Sequence, residues 1–399
     1  MKVLLSHNFY QSSSPSGEDV VFNAERELLK ANGVEVITYE RWNDDILKFP
    51  SYKKLTLPFG LFWSKVTYNE LKQLIKKEKP DIAHFHNIFY LISPSAYYAC
   101  KDAGIPVIQT LHNFRFFCVS GLLMRDGKVC EECVGKLPWR GVVYGCYKDS
   151  RLYSIPIALM EGIHRFIGTW RNKIDAYIAL TEFCKKKFVE CGLPKEKIFI
   201  KPNFLLNPPE PDFSDYGYAI FLGRLSQEKG VDVILEALKI LNPGNYRNFK
   251  VKIVGDGPMR KTLEDKAVLE KMGNIEFTGR MDFNNCIKLL KRSKFMIMPA
   301  KWYEGFPMTI RESFACGKAV IASRLGSMAE IVEDGKTGLL FEPDNPEDLV
   351  EKIKWMIENE DACIKMGKNA RRVFEEKYTA ERNLEILMKI YHSVLEKNR

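Results

Sequence analysis

Nowhere in the 399 residues does an apolar run approach the roughly 18 consecutive residues that a bilayer-spanning helix requires. The opening run, Met1 to His7, is strand-like and too brief for the apolar stretch of a secretory signal. Internal repeats and low-complexity tracts are also missing, which sets aside solenoids and disordered linkers. No nucleic-acid-binding motif occurs and the basic excess is spread along the chain, so nucleic acid is not an expected partner. The expected location is cytoplasmic, with peripheral contact at the inner face of a membrane as an option. There the ten cysteines stay reduced, as thiols or metal ligands before disulfides.

What is present is a globular composition, 46% hydrophobic and 28% charged, over a length that suits two domains. Lys and Arg number 60 against 51 Asp and Glu, a formal charge of +9. That excess favours anionic partners such as phosphorylated substrates or anionic lipid surfaces. Short β-branched runs alternate with helical patterns throughout, the signature of parallel sheets with helical crossovers. Strands are expected at residues 3–7, 34–39, 82–86, 107–111 and 176–180, then at 218–222, 250–254, 275–278, 295–298 and 319–323. A proline cluster, Pro208-Pro209-Glu210-Pro211, interrupts the series. The expected fold class is α/β, with two Rossmann-like doubly wound domains. The first spans residues 1–204 with a cysteine-rich insertion at 113–150, the second 205–378. A final helix over 379–399 carries an apolar stripe that needs a surface, expected on the first domain.

Ligands of such sheets lie at the carboxyl ends of the strands, and the motifs fall there. Gly223-Arg224-Leu225-Ser226-Gln227-Glu228-Lys229-Gly230 places two cations between glycines before a helix, a candidate diphosphate site. Gly255-Asp256-Gly257-Pro258 follows the next strand, its glycines leaving room for a base or ribose against the backbone. Glu304 and Glu312 flank seven residues after the fourth strand, so that a loop carboxylate and a helix carboxylate can face one cleft. Each motif alone is also compatible with solvated turns and helix charges.

Taken in order, and followed by Ala-Cys-Gly-Lys-Ala-Val-Ile-Ala-Ser (315–323) and Glu-Asp-Gly-Lys-Thr-Gly-Leu-Leu-Phe (333–341), the series resembles the family-4 retaining glycosyltransferases of GT-B fold. The first-domain loops Ser16-Gly17-Glu18-Asp19 and Thr110-Leu111-His112-Asn113 extend the resemblance over nearly the whole chain. It implies transfer of a sugar from a nucleotide-diphosphate donor to a saccharide or lipid-linked acceptor, in surface-polysaccharide or glycolipid assembly. Arg224 and Lys229 would then clamp the diphosphate, Glu312 would bind the ribose and Glu304 the sugar hydroxyls. Backbone groups at Gly305, Phe306, Met308 and Thr309 would surround sugar and phosphate, with Gly223, Gly255 and Gly257 lining the donor. His112 would meet the sugar, Gly17 the phosphates and Glu18 the acceptor side. Pro307 departs from the glycine often found there and removes one backbone donor. No Asp-x-Asp stands where it would hold a catalytic metal, so none is expected. A nucleotide-sugar 2-epimerase of the same fold, and a non-catalytic nucleotide-sugar-binding scaffold, are the alternative readings.

Several features lie outside that pattern. His84 and His86 share a strand face and are expected to pack or hydrogen-bond rather than bind metal, and His7 to neighbour the site. Lysines over 53–79 interleave with aromatic residues, a pattern open to a solvated helix or an anionic membrane contact. Residues 151–171 read as a buried interdomain helix. Cys118, Cys130, Cys133 and Cys146, spaced Cys-x11-Cys-x2-Cys-x12-Cys, suit a tetrahedral structural zinc, with an iron–sulfur cluster second and plain buried thiols as the alternative. A structural metal would hold an insertion too poor in apolar residues to hold itself. One equivalent of zinc or iron in protein purified without chelator, lost in Cys133→Ser together with protease resistance across 113–150, is the expected result. Native protein with no metal and four freely titratable thiols would reduce these cysteines to packing residues.

Overall fold

A computed structural model of the chain describes residues 1–12, 16–214, 217–241 and 246–398, with the side chains of 52–56, and so of Lys53 and Lys54, outside the described part. The chain forms two compact units. One comprises Met1–Leu123, Cys130–Leu206 and Ala380–Arg399, the other Met124–Val129 and Asn207–Thr379.

The first half of the chain supplies β1 (Lys2–Phe9), β2 (Glu35–Trp42), β3 (Ile82–Phe85), β4 (Val107–Leu111), a hairpin of β5 (Met124–Arg125) and β6 (Lys128–Val129), β7 (Ala176–Ala179) and β8 (Ile198–Ile200). The first unit's sheet is parallel in the order β2-β1-β3-β4-β7-β8. The second unit holds β9 (Tyr218–Leu222), β10 (Lys250–Val254), β11 (Ile275–Gly279), β12 (Phe295–Met298), β13 (Ala319–Ser323) and β14 (Gly338–Phe341), parallel in the order β11-β10-β9-β12-β13-β14. Central strands β3, β4, β7, β9, β12 and β13 are buried along their whole length, which is why they are mostly apolar without alternation, with His84, Gln109 and Thr110 the main buried polar exceptions. The edge strands β8 and β14 were not among the expected strands. Both are short, and neither stands out from its flanks by alternation.

In each sheet the chain reverses its direction of growth beside the first strand. The β1 neighbours are β2 and β3, and the β9 neighbours are β10 and β12. Loops leaving the carboxyl ends at such a reversal splay apart and leave a crevice. The loop after β1 leads to the helix Gly17–Ala31, started by a reciprocal Ser16–Asp19 capping box. Loops after β9 and β12 carry the motifs of the second unit. The helix Ala380–Lys397 buries Leu387, Ile390, Tyr391 and Val394 against Val3, Leu5, Ile82 and Ile108 of the first unit.

The segment 151–171 departs from the sequence reading. It forms one helix, Arg151–Phe166, and a single further turn, Thr169–Asn172. Only one face of the longer helix is buried, through Ser154, Ile157, Ala158, Met160, Glu161 and His164. The opposite face is apolar and exposed, so composition alone was a poor guide to its burial.

Candidate active site

In the second unit the loops after β9 and β10 are stacked backbone on backbone. Leu225 N–H donates to Asp256 O at 2.9 Å and Gly223 N–H to Val254 O at 3.0 Å. A Cβ on Gly255 would overlap the carbonyl of Gly223, and one on Gly257 the carbonyl of Leu225. These two glycines are therefore required by loop-on-loop packing, a reason separate from any ligand. Gly230 has a left-handed φ of 69° and abuts the Pro299 carbonyl, which fixes the turn that delivers Lys229.

Lys229 Nζ donates to Glu304 Oε1 at 2.6 Å, and Trp302 Nε1 donates to the same oxygen at 2.8 Å. The Lys229 ammonium also lies 5.6 Å from the Trp302 ring centroid. Glu304 is buried, so its charge is balanced where it sits. The Arg224 side chain is exposed on the same loop as Lys229, with no ion pair among the described residues. Phe306 turns its ring inward against Tyr378, at 5.4 Å between centroids, while Ser327 Oγ donates to the Gly305 carbonyl at 3.0 Å. Pro307 caps the helix Met308–Ala315 without a side-chain hydrogen bond, so Met308 and Thr309 stand at an N-terminus whose first amides the helix itself does not satisfy. One turn on, Glu312 Oε1 accepts from Arg311 Nη2 at 3.1 Å. Burial raises the Glu312 carboxyl above its ordinary range, against the pull of Arg311.

The first unit assembles a second constellation, buried beneath the loop that carries His112. Glu25 is fully buried on the Gly17–Ala31 helix, and Lys201 Nζ lies 2.6 Å from its Oε2. His86 Nε2 lies 3.1 Å from Glu25 Oε1, and His86 Nδ1 lies 3.0 Å from His112 Nε2. His84 reaches Tyr391 Oη with Nδ1 at 2.8 Å and Thr110 Oγ1 with Nε2 at 2.7 Å. Burial favours the neutral carboxyl of Glu25, but Lys201 and the two imidazoles outweigh it and hold the group well below the carboxylate range. An ionised Glu25 only accepts, so His86 carries its proton on Nε2 and accepts at Nδ1. His112 must then donate from Nε2, which leaves its Nδ1 a bare acceptor.

Glu25, His84 and His86 are the one group among the described residues whose metal-capable atoms gather within 4.8 Å. Lysine, tyrosine, threonine and histidine partners already occupy those atoms, so the group is a hydrogen-bonded network rather than a cation site. Sequence reasoning placed both histidines correctly as packed, but missed Glu25 and Lys201. The available signal was a lysine directly after the apolar run Ile198–Ile200.

Nearer the surface, Gly17 is exposed at the first helical position and Asn113 Nδ2 donates to Glu18 Oε1 at 2.7 Å. Glu18 Oε2 is buried without a partner, and desolvation raises the carboxyl to about 7. His7 Nε2 lies 2.8 Å from Asp19 Oδ1 and its ring stacks on Phe22. The four insertion cysteines are not gathered as a group at ligating distance. Cys118 and Cys133 are buried, the Cys133 thiol pushed up to about 12 by burial and then by Cys118, while Cys146 packs beside Val119, Ile157 and Ala158.

Two family models match the chain in succession, Glycosyltransferase Family 4 over residues 17–205 and Glycosyl transferases group 1 over 207–373. A Methanocaldococcus jannaschii protein described as an uncharacterised glycosyltransferase is 30% identical over 334 residues, covering 82% of this chain and 87% of the relative. The chain belongs to the glycosyltransferases. The D-rhamnosyltransferase WbpZ of Pseudomonas aeruginosa is 28% identical over 165 residues, 41% of this chain and 42% of that protein. Among solved structures, Anabaena HepE in complex with UDP superposes with a TM-score of 0.67 at 16% identity, covering 98% of this chain and all of HepE (100%). Sucrose-phosphate synthase from Thermosynechococcus elongatus gives 0.69 at 16% identity, with 99% of each chain covered. These likenesses establish the GT-B fold of this glycosyltransferase.

The buried histidines impose a pH dependence. Burial lowers His7 and His112, and takes His86 to about 3, so all three stay neutral when folded. The unfolded chain takes up protons near the ordinary value of about 6.5, so stability is full above that pH and drains as pH falls below it. Glu25, depressed in the fold, adds a loss in the same direction below its ordinary range. Each such histidine should cost the first unit roughly 1.4 kcal/mol per pH unit below pH ~6.5, while the raised carboxyls of Glu18 and Glu161 return a similar amount each down to their ordinary range. Urea midpoints at neutral and mildly acidic pH, compared between the parent and His86→Gln, isolate the histidine part, and the variant should lose less stability on acidification. An equal pH slope in the two proteins would contradict the buried neutral cluster.

Proposed function

We propose that this glycosyltransferase moves a sugar from a nucleotide-diphosphate donor, with retention of anomeric configuration, to a saccharide or lipid-linked acceptor in cell-surface polysaccharide or glycolipid assembly. The observation that carries it is the Lys229–Glu304 pair on the loops that lead to the helix N-terminus at Met308 and Thr309, with Glu312 one turn along. A cation, a helix N-terminus and two carboxylates, one on a loop and one on that helix, match the parts of a sugar diphosphate. Support comes from HepE, described in complexes with UDP and with UDP-glucose, and from relatives named as O-antigen and rhamnosyl transferases.

In this reading the diphosphate lies against Arg224, Lys229 and the Met308 and Thr309 amides, with Gly223, Gly255 and Gly257 forming the wall beside it. Its arrival draws Lys229 from Glu304, which frees that carboxylate to accept from sugar hydroxyls. Glu312 accepts from the ribose diol, and backbone groups of Gly305 and Phe306 border the sugar. His112 offers its bare Nδ1 to a donor-sugar hydroxyl, Gly17 belongs with the phosphates, and Glu18 faces the acceptor. The bond from the anomeric carbon to the diphosphate oxygen breaks with its electron pair on the leaving group, where the cations stabilise it. The acceptor oxygen bonds to the same face of that carbon and its proton passes to the departing phosphate. No protein nucleophile and no catalytic metal enter these steps. A structural zinc at Cys118, Cys130, Cys133 and Cys146 belongs to the proposal as a separable part, and would require the four sulfurs to close together.

Lys229→Ala and Arg224→Ala should each lower kcat/KM by about a hundredfold, roughly 3 kcal/mol of transition-state stabilisation. Rates within about threefold of the parent for both would remove the diphosphate role. Proton NMR of the first product should show the donor's anomeric configuration, and an inverted signal would overturn the retaining assignment.

A further inference from the structure

The helix Arg151–Phe166 shows the solvent an uncharged face. Leu152, Ile155, Leu159, Ile163 and Phe166 recur at helical spacing and are all exposed, Leu152 by 73% and Phe166 by 89%. Its charged residues are elsewhere. Glu161 and His164 are buried, Arg151 stands at the start, and Arg165 donates sideways to the Lys136 carbonyl at 2.6 Å. Two neighbouring helices pack against it, Ser51–Phe62 and Trp139–Val143. They bring further exposed apolar groups, Phe59 (77%) and Trp139 among them. Single exposed apolar residues are ordinary, but an uninterrupted face with such neighbours marks an interaction surface.

Charge decides what covers it. Residues 137–173 carry Arg140, Lys148, Arg151, Arg165, Arg171 and Lys173 against Asp149 and the buried Glu161, and Glu132, just outside that span, lies 3.8 Å from Arg140. A two-fold pairing of this chain with itself would set that basic patch against its own copy, with almost no acid to answer it. An anionic lipid surface answers it directly and also accepts the apolar face, with Trp139 suited to the headgroup level. At the C-terminal end of the helix a cavity of about 500 Å³ is lined by Phe166, Ile167, Trp170, Arg165 and Arg171, so that guanidinium groups and apolar walls share one recess. No helix among the described residues is long and apolar enough to cross a membrane, so the contact lies in the plane of the interface.

We propose that the first unit docks on an anionic lipid bilayer through the exposed face of the helix Arg151–Phe166, with a lipid phosphate taken at Arg171 beside the recess. This docking is independent of which acceptor the enzyme uses.

Flotation of the full chain with vesicles tests it, comparing phosphatidylcholine alone with an equal mixture of phosphatidylcholine and phosphatidylglycerol. The chain should float with the mixed vesicles and scarcely with the neutral ones, and added salt should weaken the binding. Leu152→Ser with Phe166→Ser should lower the affinity more than about tenfold. Arg171→Gln should lower it about fivefold, and only for the anionic vesicles. Both variants change exposed side chains, so unaltered thermal unfolding certifies their folding. Absence of flotation with the mixed vesicles, or equal flotation of the parent and the double serine variant, would overturn the proposal. So would a dimer in solution that the serine pair converts to monomer, because the face would then belong to a second copy.

Discussion

Glu25 has no contact with water, and its carboxylate stays ionised there because Lys201 lies 2.6 Å away. A buried charge without a partner would neutralise or unfold its surroundings, so each of the two side chains makes the other tolerable. The pair ties together segments remote in sequence. Glu25 comes from the first helix, Lys201 from the end of β8, and Asn383 of the last helix accepts from Lys201 Nζ at 3.3 Å while donating to Pro202 O at 2.8 Å. The last helix is thus held to the first unit by polar as well as apolar contacts. Donation runs inward to that carboxylate, from His112 to His86 and from His86 to Glu25, so a buried charge sets which nitrogen the half-buried His112 imidazole offers.

The second unit solves a different problem, bringing charged side chains together on loops without burying loop backbone unsatisfied. Its loops after β9 and β10 bond to each other, and glycines at 255 and 257 remove the side chains that would force them apart. On that base Lys229 and Glu304 neutralise one another, so the buried carboxylate keeps a partner. Glu312, by contrast, is raised by burial and only partly offset by Arg311.

The uncharged face of the 151–166 helix shows the limit of reading burial from composition. Its inner and outer faces are both rich in apolar residues, and two of its titratable groups, Glu161 and His164, point inward. Hydrophobic periodicity therefore gives no sign of which face meets solvent. Arg115 and Cys118, beside which Glu161 is buried, reach it from the preceding insertion and are invisible to a local pattern.

The sequence by itself determined the alternation of strand and helix, the strands that are buried on both faces, the order of the loop motifs and the capping box at Ser16. Each of these depends on residues within a few positions of one another, where steric preference and apolar periodicity act directly. Short edge strands such as β8 and β14 escaped because pairing with a neighbour, more than their own pattern, makes them strands. Tertiary structure alone decided that Lys201 meets Glu25 across 176 positions, and that His86 rather than an external ligand fixes the tautomer of His112. It also decided that Gly255 and Gly257 serve loop packing. Those outcomes are set by distances through space between charged or close-packed groups, a quantity that spacing along the chain does not contain.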